Sequence, residues 1–150
     1  KNKNFKMASS WFTRFYKNKN LKILGTPITY DRVFRKHLTE NIIAHSTVMF
    51  HKLFALKLGN YSNKLKYSQD FGLILKFFKF SKIKIIPICL TDCIIHSNSM
   101  TFSKKYKKIV IKNFIENLTY VRKNFDLNII EAAVVFLRIK KNKFKLFLTR

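Results

Sequence analysis

Apolar positions at helical spacing predict three helices in the chain. Tyr30 to about His45 has apolar residues at this spacing, with Asp31 in the first turn. Ser62 to about Phe80 carries a stripe of large apolar residues at i, i+4, i+7, i+8 and i+11: Tyr67, Phe71, Ile74, Leu75 and Phe78. A third helix is predicted from Leu127 to about Ile139, with Asp126 as its N-cap.

Alternating apolar positions predict four extended segments around the second and third helices. They are Val48–Leu58, Lys82–Leu90, Phe102 to about Val121, and Phe144–Thr149. Pro87 predicts that the far end of the second segment is an edge or leaves the sheet. From Val48 onwards the predicted order is therefore β-α-β, a long loop, and β-α-β. Two split βαβ units form a four-stranded sheet with both helices on one face, the ferredoxin-like α+β plan, which is predicted for residues 48–150.

Residues 1–47 are predicted to be a basic, aromatic N-terminal extension whose helix near residues 30–45 lies outside that core. Within Lys1–Thr26, aromatic residues alternate with Lys and Arg. Aromatic rings among cations suit base stacking and phosphate contact on RNA. An arm whose aromatic rings cover a neighbouring protein is an equally good interpretation.

The charge of the chain predicts a polyanionic partner. There are 31 Lys and Arg against 7 Asp and Glu, a net charge of +24. Self-repulsion on this scale destabilises a compact chain, and nucleic acid or an anionic membrane surface would relieve it. Most of the cations are Lys, which favours contact with phosphates over the recognition of bases.

Ser97–Lys112 concentrates this charge. Small polar residues are followed by four lysines, Lys104, Lys105, Lys107 and Lys108, and then by an apolar alternation from Ile109 to Ile111. This pattern predicts a mobile loop and a basic turn anchored by a strand. A lone run of this type is usually a solvated loop, but the charge of the whole chain favours a loop inserted among phosphates.

Catalysis, cofactors and small-molecule substrates are not expected. The seven acids are spread along the chain without a spacing typical of a carboxylate pair, and no Gly-rich phosphate loop is present. The cluster Cys89-x3-Cys93-x2-His96 is a weak metal candidate, because its spacing does not supply four ligands and Cys89 could be a buried thiol. No metal site is therefore predicted. No apolar run approaches the ~18 residues that a membrane span requires.

Four segments in register resemble the universal ribosomal protein S10 family of the small subunit. LFALKLGNYSNKLKYSQ is similar to that family's first strand and its KxYDHxLLDxS segment, and IIPICLT to its GPIPLPT segment. SMTFSKKYKK is similar to SPHVNKKSRE, and IIEAAVVFLRIKKNKFKLFL to the closing helix and strand. The chain departs from the family at Ile86, where the family has Gly, and at Met100-Thr101, where it has Pro-His.

The resemblance implies a structural role in the head of the small ribosomal subunit, with rRNA and neighbouring head proteins as partners. The RNA-binding positions expected on this basis are Lys57, Lys64, Lys66, Ser97, Ser99, Lys104, Lys105, Lys107 and Lys108. Abundant Phe, Lys, Asn and Ile indicate AT-biased coding, which fits an organelle, so a mitochondrial ribosome in the matrix is expected and the gene could be organellar. The alternative is a basic accessory subunit of an organellar membrane complex, with its cations on lipid headgroups.

Overall fold

A computed structural model of the chain describes residues 5–16, 19–24, 29–95 and 106–148. These residues form an α+β structure with a mixed sheet and five helices. In chain order the elements are β1 (Phe5–Tyr16), β2 (Lys19–Leu24), α1 (Tyr30–Thr39), β3 (Val48–Phe50), α2 (Lys52–Lys57), α3 (Gln69–Phe80), β4 (Lys82–Ile95), α4 (Lys107–Asn124) and α5 (Ile129–Leu148).

The sheet is built around β1, its first strand. β4 pairs with β1 in parallel over the whole length of β1. The other edge of β1 is shared, because its residues 7–9 pair antiparallel with β3 and its residues 12–16 pair antiparallel with β2. The sheet is therefore at most three strands wide at any level. Its register shifts where β4 passes Pro87, between the Ser10–Ile86 and Trp11–Cys89 pairs.

Burial on both faces of β1 explains its small polar residues. Met7, Ser9, Ser10, Phe12 and Thr13 are all buried. Each buried hydroxyl has a partner: Ser9 Oγ lies 2.7 Å from Thr47 Oγ1, Ser10 Oγ donates to the Trp11 carbonyl, and Thr13 Oγ1 donates to Asp92. A buried hydroxyl without such a partner would destabilise the strand.

The first core cluster lies between the sheet and α3. Ile74, Phe77 and Phe78 of α3 pack against Met7 and Ile83 of the sheet. α1 and α2 close this cluster, and the Phe50 and Phe54 rings lie 5.6 and 5.5 Å from the Phe77 ring. Offset and tilted ring pairs of this kind add to the stabilisation from apolar burial.

The second cluster joins the α4–α5 hairpin to α1 and α3. Its buried members are Leu38, Phe71, Leu75, Leu118, Val121, Val135 and Ile139. α5 starts with a capping box, in which Asn128 Oδ1 accepts from the Glu131 N–H and Glu131 Oε2 accepts from the Asn128 N–H. Glu131 also pairs with Arg35 at 2.9 Å, which ties α5 to α1.

The ferredoxin-like prediction is wrong. The predicted first strand, 48–58, is a strand only at Val48–Phe50 and continues as α2. The predicted third and fourth strands are both helical: 102–121 contains most of α4, and 144–149 contains the last turn of α5. No Gly or Pro follows Pro87, so the sequence beyond it contains no strong helix breaker. Long-range burial can therefore impose a helix on a short apolar alternation such as Ile109–Ile111.

Residues 1–47 were predicted to lie outside the core. This prediction is also wrong for the residues of that range that the structure describes. β1 is the central strand, and Val33 and Leu38 of α1 are buried in the two clusters. Four predicted elements are present with changed bounds: helices α1 and α3, which are shorter than expected, strand β4, which is longer, and the helix from Leu127 to about Ile139, which forms the first part of α5. The N-cap of α5 is Asn128 and not Asp126.

Candidate nucleic-acid interface

A groove of about 600 Å³ opens where β1, the loop before α3 and α4 meet. β1 contributes Phe12 and Arg14, and residues 41–45 after α1 form another wall. The remaining lining residues come from the loop and the start of α3, namely Tyr61, Lys66, Tyr67, Ser68, Gln69 and Asp70, and from α4, namely Val110 and Phe114. A cavity of this size with mixed aromatic and polar walls is typical of a binding site.

Two buried asparagines of α4 hold the loop in place. Asn113 Oδ1 accepts a hydrogen bond of 2.9 Å from the Tyr67 N–H, and Asn117 Nδ2 donates one of 2.9 Å to the Ser68 carbonyl. Ser68 itself has a left-handed backbone, with φ of 56°, so the turn needs such support. Both asparagines are only 4% exposed. The loop is therefore fixed on α4 before any ligand binds.

The same loop brings two lysine pairs to one end of α4. The rings of Tyr67 and Tyr106 lie 5.3 Å apart. Lys64 and Lys66 precede Tyr67, and Lys107 and Lys108 follow Tyr106 in the first turn of α4. All four lysines are exposed. We call Lys64, Lys66, Lys107 and Lys108 the basic rim.

The groove is also lined by a second cation, Arg14, and by one acid, Asp70. The Arg14 guanidinium lies 5.4 Å from the centre of the Phe12 ring. Asp70 Oδ2 accepts a hydrogen bond of 3.0 Å from Asn41 Nδ2. A lone carboxylate held by an amide does not form the carboxylate pair of a hydrolase, but it can accept hydrogen bonds from the edge of a ligand.

Tyr61 also lines the groove and contacts His45. Its hydroxyl lies 3.3 Å from His45 Nε2, and the two rings meet edge to face. Burial raises the pKa of Tyr61, and the nearby charge of Asp70 raises it further. The phenol therefore stays neutral at physiological pH and is available for stacking and hydrogen bonding.

The structure places the sequence-predicted site residues as follows. Lys64, Lys66, Lys107 and Lys108 flank the contact between Tyr67 and Tyr106, although the last two lie on a helix and not on a strand. Lys57 is exposed at the end of α2 and does not line the groove. Ser97, Ser99, Lys104 and Lys105 lie outside the described residues, as does the loop path that was predicted for them.

The metal candidates do not come together. Cys89 and Cys93 lie on β4, where four residues of extended chain separate two Cα atoms by roughly 13 Å. Cys93 Sγ instead lies 3.4 Å from Ser46 Oγ, and His96 is outside the described residues. Within residues 5–16, 19–24, 29–95 and 106–148, no three His, Cys, Asp or Glu side chains cluster as metal ligands would.

Several groove residues were not singled out by the sequence, among them Arg14, Asn41, Asp70 and Asn113. Arg14 belongs to the aromatic and basic pattern that suggested RNA contact, but its place in the sheet was not expected. Asn113 is polar on the buried face of a helix, which indicates a buried hydrogen bond. That signal could be used only after α4 was known to be a helix.

The described residues include three ion pairs, two of which share Glu40. With 31 basic residues against seven acids, the carboxylates are too few to pair one to one with most of the cations. In the same ranges, each helix is too short or too polar to cross a membrane. Comparison with known proteins finds no matching family model, no matching curated protein and no matching solved structure.

Proposed function

We propose that the chain is a structural RNA-binding protein of a ribonucleoprotein particle, and that the basic rim holds phosphates of the folded RNA. The particle proposed is a mitochondrial small ribosomal subunit. The S10 resemblance suggested that particle, but the observed topology is not the plan that the resemblance implied. The proposal therefore depends on the charge and on the rim.

The observation that carries the proposal is the rigid placement of four exposed lysines beside an aromatic groove. Lys side chains contact phosphates as point charges, and each contact releases counterions from the RNA. The fixed turn at Tyr67–Ser68 lowers the entropic cost of binding, since the loop does not have to be ordered by the RNA. The aromatic walls next to the rim offer faces on which unpaired bases can stack.

The first test is sedimentation of the native protein through a density gradient. The proposal expects the protein to migrate with the small ribosomal subunit at low salt and to be released only at high salt. Migration as a free protein at low salt would contradict it.

The second test replaces the four rim lysines with Gln and measures affinity for single-stranded RNA between 50 and 300 mM salt. Removing four phosphate contacts should lower the slope of log K against log salt by roughly 3, because each contact on a single strand contributes about 0.7. The matched control replaces four exposed lysines outside the rim, Lys52, Lys84, Lys123 and Lys143, and should retain most of the slope. Equal losses in the two variants would show that the rim is not the anchor.

A further inference from the structure

The outer face of α5 is a row of exposed apolar side chains. The inner face packs Glu131, Val135 and Ile139 into the molecule. The large apolar residues of α5 that are more than half exposed are Ile129 (89%), Ile130 (76%), Leu137 (63%), Phe144 (62%), Phe147 (63%) and Leu148 (64%). Ile130, Ala133, Leu137 and Phe144 recur at i, i+3, i+7 and i+14 and so follow one side of the helix. We call these four residues the α5 ridge.

Exposure of this kind on one helix indicates a binding surface. Single exposed apolar residues are ordinary on protein surfaces, but a contiguous set is typical of an interaction site. α5 is apolar on two sides. Only its inner side packs in the second core cluster. The sequence of α5 thus retains an apolar row that the folding of the described residues does not require.

The charges beside the ridge are positive. Lys140 and Lys141 follow Leu137 and, at 3.6 residues per turn, flank the row on its two sides before Phe144. Both lysines are exposed, and the Lys140 ammonium lies 5.4 Å from the centre of the Phe136 ring. Glu131, the single acid of α5, is buried at the capping box. An occupant of the ridge must therefore be apolar in its middle and anionic at its margin.

The side chains of the ridge and the charge of the chain narrow the choice of occupant. A second copy would bring another +24 charge against the same lysines. A fluid lipid interface accepts a row of unequal side chains without shape complementarity, and its anionic headgroups pair with lysines that extend outward.

We propose that the α5 ridge docks on the surface of an anionic lipid bilayer. α5 would lie in the plane of the interface, with Leu137 and Phe144 among the upper acyl chains and Lys140 and Lys141 at the headgroup phosphates. This is attachment to a surface and not insertion across it, in line with the absence of a spanning helix among the described residues. The proposal does not depend on RNA binding by the rim.

Flotation with vesicles tests the proposal. The full chain is mixed with phosphatidylcholine vesicles that contain 30% phosphatidylglycerol, at 0.15 and 0.5 M salt. The variant Leu137→Ser/Phe144→Ser is compared with the control Leu53→Ser/Leu56→Ser, which changes residues on α2 that are 62% and 51% exposed. At 0.5 M salt the charge attraction is screened, so the remaining affinity reports apolar insertion.

The ridge variant should bind at 0.5 M salt at least about tenfold more weakly than wild type, because two large apolar side chains no longer enter the lipid. The control should bind as wild type does. Equal binding by the ridge variant and wild type, or equal losses in both variants, would overturn the proposal. The variant in which the rim lysines are Gln should keep its salt-resistant binding, which separates this result from the RNA experiment.

A second measurement decides the question even if the double variant does not fold. In a Cys89→Ser/Cys93→Ser background, Phe144→Cys is labelled with a polarity-sensitive dye and compared with labelled Leu53→Cys. Vesicles should shift the emission of the dye at position 144 to the blue and leave the dye at position 53 unchanged. If neither dye shifts, or if position 144 responds only to protein concentration in the absence of lipid, the ridge is not a lipid-binding surface.

Discussion

Replacing His37 with Leu should remove a pH-dependent loss of stability that the wild-type fold carries. His37 is fully buried on α1, and its ring lies 4.9 Å from the Phe71 ring and 5.3 Å from the Phe78 ring. Neither ring nitrogen has a hydrogen-bond partner among the described residues. Burial lowers the pKa of His37 from 6.5 to about 3, because the charged imidazole cannot be solvated there.

The sign follows from comparing the folded and unfolded chains. Between pH 6.5 and pH 3 the unfolded chain binds a proton at His37 and the folded chain does not, so stability falls as the pH falls through this range. From pH 7.5 to pH 5 the loss is about 2 kcal/mol, since each pH unit below 6.5 contributes about 1.4 kcal/mol. Leu has a similar volume and no polar atoms, so the variant should also gain about 1–3 kcal/mol at neutral pH by removing two unpaired nitrogens.

Urea unfolding at pH 7.5 and pH 5, at constant ionic strength, measures both effects. Fluorescence of Trp11, the single Trp, reports unfolding, and circular dichroism checks that the transition is two-state. The control His45→Gln changes an exposed histidine and should keep the acid loss, because His37 is still present. If the free energy of unfolding falls equally in wild type and His37→Leu between the two pH values, the assignment of the acid sensitivity to His37 is refuted.

Three further substitutions test the packing. Ile74→Asp should unfold the chain by circular dichroism, because a charge at a position 1% exposed costs roughly 3 kcal/mol or more; a folded variant would contradict the phase of α3. Gly72→Ala should lower the free energy of unfolding in urea by about 1–3 kcal/mol, since the new Cβ would lie 2.9 Å from Asn117 Oδ1 and displace that amide; an unchanged midpoint would show that the amide can move. Glu131→Ala should cost on the order of 1 kcal/mol in the same assay by breaking the capping box with Asn128, and no loss would remove the cap from the account of α5.

The sequence predicted the elements whose pattern of apolar and polar residues can be read within a single segment of the chain. α3 has a stripe that matches its burial, and β4 combines β-branched residues with an alternation. α4 and the end of α5 were predicted as strands because short apolar alternations resembled strands. In α4 the burial of Leu118 and Val121 on neighbouring helices decides the structure, and the end of α5 continues the helix that Val135 and Ile139 anchor. Such tertiary contacts are not visible in a local window.

The basic rim shows the same division between local and tertiary information. Its four lysines were predicted as RNA contacts, but the contact between the Tyr67 and Tyr106 rings that they flank joins segments far apart in the chain. The groove behind them depends on Asn113 and Asn117, whose role requires α4 to be a helix. The four lysines of the rim could thus be named from the sequence, whereas the groove beside them could not.

The central position of β1 has a consequence for synthesis of the protein. The first strand made needs β4 as its long parallel neighbour, and β4 starts only at Lys82. The ribosome adds about 5–20 residues per second, so β1 is made several seconds before β4. Until β4 emerges, the edge of β1 that pairs with it is unpaired. During this time the chain would be exposed to strand-mediated aggregation, so we expect its productive folding in the cell to depend on a chaperone that shields β1 until β4 is made.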